Sequence, residues 1–391
     1  MFRVGVIGFG ARAEAIFKNF VNFQMEVELA AVYDKNRERS LKKIRNSGYD
    51  PEKTVFYDDV DDMLDHAKLD GVCVSTNCST HVYFAEKVLK RNIPMLLEKP
   101  VAIHMEELKK LRQLDEKEHA PVLVSFPLRY SNLCQLAKKI IDSGELGEIT
   151  HIEAVNNVSY GRVYYQSWYH DDSVTGGLFL QKATHDLDYI NYLLGREPVL
   201  VAAMESKQIF KGDHEAGLTC DKCPEEKTCP ESPYVIRNHF LDKDEIYGKR
   251  CSFAKDTGNH DSASIMVKYD NGVHAVYTQD FVARRGAARR GAIIIGYKAT
   301  MEFDWITGEL KVHYHRKPHD AVYTIKDNLS FHYGGDKAIC ENFLGIMEGT
   351  QESAAPLSSG ILSALMCLKA RESAQKECFC RIDQDELCEK E

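Results

Sequence analysis

Over the first 125 residues, short apolar runs alternate with amphipathic stretches, and this alternation restricts the fold more than any composition figure. The runs at 3–7, 28–33, 71–75, 93–97 and 121–125 read as buried strands. The stretches 13–23, 35–47, 81–92 and 105–119 read as helices. Strands joined by helices of that length pair in parallel through right-handed crossovers, so this half predicts a doubly wound α/β sheet.

From about residue 148 the pattern changes. A long strand pattern covers 148–159, and strands at 262–269 and 273–280 flank Asp270-Asn271-Gly272. That pair reads as a hairpin, because Asn-Gly supplies the positive φ angles of a tight turn. Strand patterns continue at 291–296, 300–305 and 310–315, and helices return at 335–348 and 358–377. The expected organisation is a parallel α/β domain over 1–125, then an α+β domain over 126–391 with an open, largely antiparallel sheet. The stretch 207–257 is the least regular and reads as an insertion.

Composition narrows the partners. With 44% apolar and 28% charged residues the chain has the make-up of a globular protein with a sizeable core. The formal net charge is −9, and the one basic cluster, Arg284, Arg285, Arg289 and Arg290, is interleaved with Gly286 and Gly291 as in a loop. Nucleic acid is therefore not an expected partner. No apolar stretch reaches the roughly 20 residues of a membrane span, and the N-terminus runs straight into a strand, so a cytoplasmic protein without a membrane partner is expected. Of twelve cysteines, Cys73, Cys134, Cys340 and Cys367 stand singly in apolar segments, as reduced core residues do.

The first strand leads into Gly8-Phe9-Gly10-Ala11-Arg12-Ala13, a Gly-x-Gly-x-x-Ala turn that opens a helix. Gly8 allows the tight turn, Gly10 lets the backbone approach a pyrophosphate, and Ala13 lets the helix pack close to the sheet. Asp34 ends the second strand, where a carboxylate accepts bonds from ribose hydroxyls and repels a 2′-phosphate. NAD is thus expected ahead of NADP, a preference softened by Lys35 and Arg37.

The run ending at Leu97 closes on Glu98-Lys99-Pro100, which puts a lysine at the carboxyl end of a later parallel strand. Oxidising a secondary alcohol by hydride transfer requires a group to take the hydroxyl proton. Lysine and histidine do this once their surroundings bring the pKa toward the working pH. Lys99 is the first candidate. His185 is the second, on a helix whose neighbours Asp186 and Asp188 either hold its ring or simply accept capping bonds.

Taken together, Gly8-x-Gly10, Ser75-Thr76-Asn77 with His81, Glu98-Lys99-Pro100, Gly176-Gly177 with His185 and Asp188, and His332-Tyr333-Gly334-Gly335-Asp336 resemble the glucose–fructose oxidoreductase / inositol dehydrogenase (Gfo/Idh/MocA) family. The resemblance implies a Rossmann domain, an open antiparallel α+β domain and assembly as a homodimer or homotetramer. It implies NAD(P)-dependent oxidation or reduction of a sugar or cyclitol. Gly8, Phe9, Gly10, Ala11, Arg12, Asp34, Ser75, Thr76, Asn77, His81, Glu98 and Lys99 would then border the cofactor, with Lys99 and His185 meeting the substrate. One position departs: the family's oxidising members usually carry an aspartate four residues before the histidine, where this chain has Gln181, followed by Lys182. An amide orients a hydroxyl but does not take its proton. So either Lys99 and His185 suffice, or Lys182 takes part, or the reaction differs.

That departure keeps a redox-neutral alternative open, in which NAD is recycled during glycoside cleavage or epimerisation. A non-catalytic NAD-binding sensor is the third reading. Tyr160, Tyr164, Tyr165, Trp168, Tyr169 and His170 suit a sugar ring or a core equally well, and no single role follows. Cys220-x-x-Cys223-x5-Cys229 and Cys251 fall in the irregular insertion, where four thiolates would close a structural zinc site ahead of an iron–sulfur cluster.

Overall fold

The computed structural model describes residues 1–239, 247–325 and 331–388. The first sheet has six parallel strands, β1 (Phe2–Ile7), β2 (Val27–Tyr33), β3 (Val55–Phe56), β4 (Gly71–Val74), β5 (Met95–Leu97) and β6 (Val122–Val124), in the order β3-β2-β1-β4-β5-β6. The chain direction across the sheet reverses between β1 and β4. In such a sheet the crevice beyond the strands' carboxyl ends, at that reversal, is where ligands bind.

Four helices form near the expected places: Ala11–Asn22, Arg37–Asn46, His81–Leu89 and Met105–Lys117. Ala13, Ile16, Phe17 and Phe20 repeat at helical spacing and are at most 1% exposed, so this stripe holds the first helix against the sheet. The apolar pattern passed over β3 and the helix Val60–His66. The strand is only two residues long with Val55 exposed, and the helix makes under two turns, too few for a period to register.

The second sheet has nine strands: β7 (Ile149–Asn157), β8 (Pro198–Ser206), β9 (Ser262–Tyr269), β10 (His274–Asp280), β11 (Arg289–Gly296), β12 (Ala299–Asp304), β13 (Glu309–Tyr314), β14 (Asp320–Thr324) and β15 (Cys380–Arg381). Their order is β14-β13-β12-β11-β7-β10-β9-β8-β15, antiparallel except where β7 meets β10. Alternate residues such as Ile265, Val267, Tyr277, Ile294, Met301 and Val312 are buried on one face. Against that face Tyr189 meets the rings of Phe303 and Trp305.

Two local expectations are corrected. At the hairpin only Gly272 has a positive φ; Asn271 instead accepts from Val273 N through its side chain at 3.2 Å, and Tyr269 N donates to Val273 O at 2.8 Å. Arg289 and Arg290 are strand residues, not loop ones, and Arg290 is buried.

Helices of the second half return to the first sheet. Gly335–Glu348 packs on Ala11–Asn22, and Leu357–Lys376 packs on Met105–Lys117 and β6. The second contact is close: a Cβ on Gly360 would lie 2.6 Å from Val101. No helix among the described residues is long and apolar enough to cross a membrane.

Candidate active site

One cavity of about 1020 Å³ opens at the reversal of the first sheet and is lined by residues of both halves. Gly8 has φ +86°, and a Cβ there would lie 2.8 Å from Ser75 O, so the turn admits only glycine. Gly10 precedes the helix without any side-chain cap, and its hypothetical Cβ has nothing nearer than 3.8 Å. This leaves a helix N-terminus facing open space, which favours an anion. Phe9 adds only backbone here: its ring is core against Phe17, while its N–H donates to Asp34 Oδ2 at 2.7 Å.

Asp34 also accepts from Asn36 N at 2.7 Å and from Arg39 Nη2 at 3.2 Å. Arg39, Lys35 and Lys43 line the cavity, whereas Arg37 turns away to lie over the Phe56 ring at 4.8 Å. Of the two cations the sequence suggested, Lys35 lines the cavity and Arg37 does not, and the one bonded to the acid is Arg39. An acid just past β2 beside an open glycine cradle fits a dinucleotide.

Arg12 has a different part. Its guanidinium donates to Glu98 Oε1 at 2.8 Å, Ser125 Oγ at 3.0 Å and Asp336 Oδ1 at 2.6 Å. It thus ties β5, the end of β6 and a late helix to the glycine turn. Burial would raise the Asp336 carboxyl, but Arg12 and the His332 bond at 2.9 Å hold it well below the usual range. His332 and Tyr333, at φ 52° and 57°, bring that histidine to the cavity wall from a left-handed backbone.

Ser75, Thr76 and Asn77 line the cavity after β4. His81 reaches it as a brace: Nδ1 lies 2.7 Å from Pro100 O and Nε2 3.1 Å from Thr76 O, joining that loop to the Glu98-Lys99-Pro100 segment. Burial lowers its pKa, so as a neutral ring it donates to one of the two carbonyls.

Lys99 Nζ donates to Gln181 O at 2.9 Å. Burial, with the charge of Lys182, pulls its pKa down to about 8. Gln181 itself is turned inward, its amide donating to Thr175 O at 2.8 Å and Cys78 Sγ at 3.1 Å, so it offers the site a main-chain carbonyl. Gln181 and Lys182 fall in a π-helical turn, Phe179–Ala183, ahead of the helix Thr184–Leu194. Such wide turns are frequent at functional sites, because they re-aim side chains. Lys182 Nζ points to Tyr160 Oη at 2.6 Å.

His185 is 8% exposed and its Nδ1 has no hydrogen-bond partner. Burial, reinforced by Lys99, Arg290 and Lys182, drives its pKa well below the usual value, so the ring is neutral. Neither neighbouring acid holds it. Asp186 takes Arg290 at 2.9 and 2.7 Å together with Asn156 and Tyr277, and Asp188 takes both arms of Arg129. These buried pairs fix the helix that presents His185.

Every expected catalytic or cofactor residue except Phe9 lines the cavity, from Gly8, Gly10, Ala11, Arg12 and Asp34 to Glu98, Lys99, Gln181, Lys182 and His185. Asn36, Arg39, Tyr83 and Pro127 were passed over. Tyr160, Tyr164, Trp168 and Tyr169 of the aromatic cluster belong to the wall, whereas Tyr165 is fully buried against Phe210. An alternation of aromatics with small polar residues after a long strand was the only signal for them.

The zinc expectation is corrected. Cys220, Cys223, Cys229 and Cys251 do line one small cavity together with His214. Yet among the described residues no group of three or more His, Cys, Asp or Glu side chains is placed so as to hold a metal ion. Cys220 Sγ donates to Arg250 O at 3.9 Å and Cys251 Sγ lies 3.2 Å from His214 Nδ1, while Cys223, Cys229 and Cys251 are near enough to Cys220 to raise its thiol. Burial pushes the Cys220 thiol up to about 12, the protonated form.

Comparison with known proteins agrees with this geometry. Residues 2–126 match the oxidoreductase family model GFO_IDH_MocA, an NAD-binding Rossmann fold, and residues 134–302 match the GFO/IDH/MocA C-terminal domain. The putative oxidoreductase YteT of Bacillus subtilis is 26% identical over 306 residues, 71% of each chain. The scyllo-inositol 2-dehydrogenase (NAD(+)) of the same organism is 26% identical over 203 residues, 50% of this chain and 54% of its own. A levoglucosan dehydrogenase solved with NADH and levoglucosan superposes with a TM-score of 0.78 at 20% identity, covering 98% of this chain and all of its own, a likeness of fold. The chain belongs to the GFO/IDH/MocA oxidoreductase family, with an NAD-binding Rossmann fold over residues 2–126.

Proposed function

We propose that this protein transfers a hydride to or from a hydroxyl-bearing carbon of a sugar, sugar derivative or cyclitol, with NAD ahead of NADP. One observation carries the reading: Lys99 and His185 line the same cavity as Gly8, Gly10 and Asp34. Gly8 to Arg12 and Asp34 would hold the dinucleotide, with Ser75, Thr76, Asn77 and Glu98 beside it. A bound nicotinamide supplies the hydride acceptor or donor; the oxygen and its proton are left to the chain. Lys99, its pKa drawn down to about 8 by burial, presents Nζ to the reacting oxygen. Neutral His185 offers a ring nitrogen to a neighbouring hydroxyl.

A polyol also needs an apolar face to lie on. Trp168 and Tyr169, stacked at 4.1 Å in the cavity wall, supply one. The names of the relatives, inositol and levoglucosan dehydrogenases, point to the same substrate class. We also propose that copies pair through the outer face of the nine-stranded sheet, where His151, Glu153, Asn157, Arg289 and Lys311 surround a hollow of about 600 Å³.

Calorimetric NAD binding combined with turnover of a polyol panel tests the reading. Lys99→Ala should abolish turnover and leave NAD affinity nearly unchanged; wild-type turnover in that variant would refute the assignment of Lys99.

A further inference from the structure

We propose that Tyr160, held as a phenolate by Lys182, accepts the proton of the substrate hydroxyl, while Lys99 remains an ammonium that binds the same oxygen. The inference rests on the reading of the cavity as an alcohol-oxidising site and deepens it, since position 181 offers no carboxylate.

The geometry carries it. Tyr160 follows β7 and is 42% exposed, with its ring in the cavity wall beside Lys99, Lys182 and His185. Lys182 is 4% exposed, yet its Nζ makes one recorded hydrogen bond, to Tyr160 Oη at 2.6 Å. The same ammonium lies 4.8 Å above the Tyr160 ring centre and 5.8 Å from that of Tyr164. A buried ammonium needs a negative or strongly accepting partner. The acid closest in sequence, Asp186, is already engaged by Arg290 through two bonds, at 2.9 and 2.7 Å. The phenol oxygen is what remains for Lys182, and a phenolate satisfies it best.

Burial pulls the Lys182 ammonium below its ordinary value, and its bond and charge contact with Tyr160 oppose that pull. Burial would raise the Tyr160 phenol, but Lys182, Arg290 and Lys99 together bring it below the ordinary tyrosine value. Tyr164, Tyr169 and Tyr333 also face it, and burial keeps all three above that value and therefore protonated. Of these four phenols, Tyr160 is the one that ionises first.

The balance is simple. With the nicotinamide supplying the acceptor for the hydride, the substrate O–H bond breaks and its electron pair closes the C=O bond. The proton passes to Tyr160 Oη, which becomes a neutral phenol still bonded to Lys182. Lys99 stabilises the oxygen as its charge changes and keeps its own proton. In the reverse direction Tyr160 returns the proton to the carbonyl oxygen.

Two readouts test this. The first needs neither cofactor nor substrate: ultraviolet titration of the cofactor-free wild type against Tyr160→Phe and Lys182→Met. One phenolate ionising ahead of the other tyrosines is expected, absent in Tyr160→Phe and moved to higher pH in Lys182→Met. Its absence from the wild type overturns the proposal whether or not any alcohol is turned over. The second is the pH profile of kcat/KM on whichever polyol the enzyme oxidises. A bell is expected, because Lys99, whose pKa is about 8, must keep its proton while Tyr160 must have lost its own. Tyr160→Phe should lower kcat/KM by about 100-fold or more, the usual scale of an acid–base residue, and remove the acid limb. A Phe variant that keeps both rate and acid limb overturns Tyr160 while leaving the oxidoreductase reading intact. Failure of the wild type on every polyol would count against that reading alone.

Discussion

The two sides of the cavity are built by different means. On the nucleotide side the work is done by backbone: a glycine at φ +86°, an uncapped helix start, and an acid that ties the turn to β2. On the substrate side it is done by buried charge, with Lys99, Lys182 and His185 drawn from segments more than 80 residues apart and all displaced from their ordinary pKa values. Backbone recognition tolerates only glycine at its tightest point but leaves titration alone. Buried charge tunes proton affinity, and every member depends on its neighbours being present.

The sharpest way to break that contrast is at Lys99. Lys99→Ala is expected to abolish measurable turnover, a loss of about 1000-fold or more for a donor to the reacting oxygen, with NAD affinity changed less than twofold. Loss of both together would mean that the two sides are one unit. Arg12 links them physically. Arg12→Ala leaves the Glu98 and Asp336 carboxylates without their cation and should cost about 3–5 kcal/mol in chemical denaturation, the scale for breaking a buried ion pair.

Gly8→Ala tests the backbone side. A non-glycine residue at that φ costs about 1–2 kcal/mol, and the clash with Ser75 O must be relieved by moving the loop that carries Thr76 and Asn77. Weaker NAD binding with unshifted pH dependence is expected. Asp34→Ala should move preference toward NADP by about tenfold, equivalent to 1.4 kcal/mol, because it frees Arg39 for a 2′-phosphate. The smallest effect concerns the insertion. In native protein a thiol reagent should modify exposed Cys378 and Cys388 first and the half-buried Cys223 and Cys229 later, with Cys220 and Cys251 reacting only on unfolding.

The same contrast explains what was legible in the sequence. The glycine turn, Asp34 and the parallel order of the first sheet are local patterns, so period and spacing revealed them. Lys99 was legible because a strand's carboxyl end in a parallel sheet is a defined place. Tyr160 was seen only as one of several aromatics, since its role depends on Lys182 turning toward it out of a π-helical turn. Arg290 read as loop because its partner, Asp186, is 104 residues away. Arg12 read only as part of a nucleotide turn, and its partners, the farthest 324 residues on, also make it a tie between layers. The cysteine spacing suggested a metal, but spacing does not specify where sulfurs point, and Cys251 was drawn to His214.

The central claim is hydride transfer between NAD and a polyol carbon at Lys99. The most direct test follows nicotinamide absorbance, with products identified by mass spectrometry, for wild type and Lys99→Ala with excess NAD across sugars, cyclitols, sugar acids and glycosides. The account predicts reduced cofactor accumulating over many turnovers with at least one polyol and none in the variant. Substrate consumed without accumulated reduced cofactor would contradict it, because the hydride would then return to the product and the chemistry would be cleavage or epimerisation.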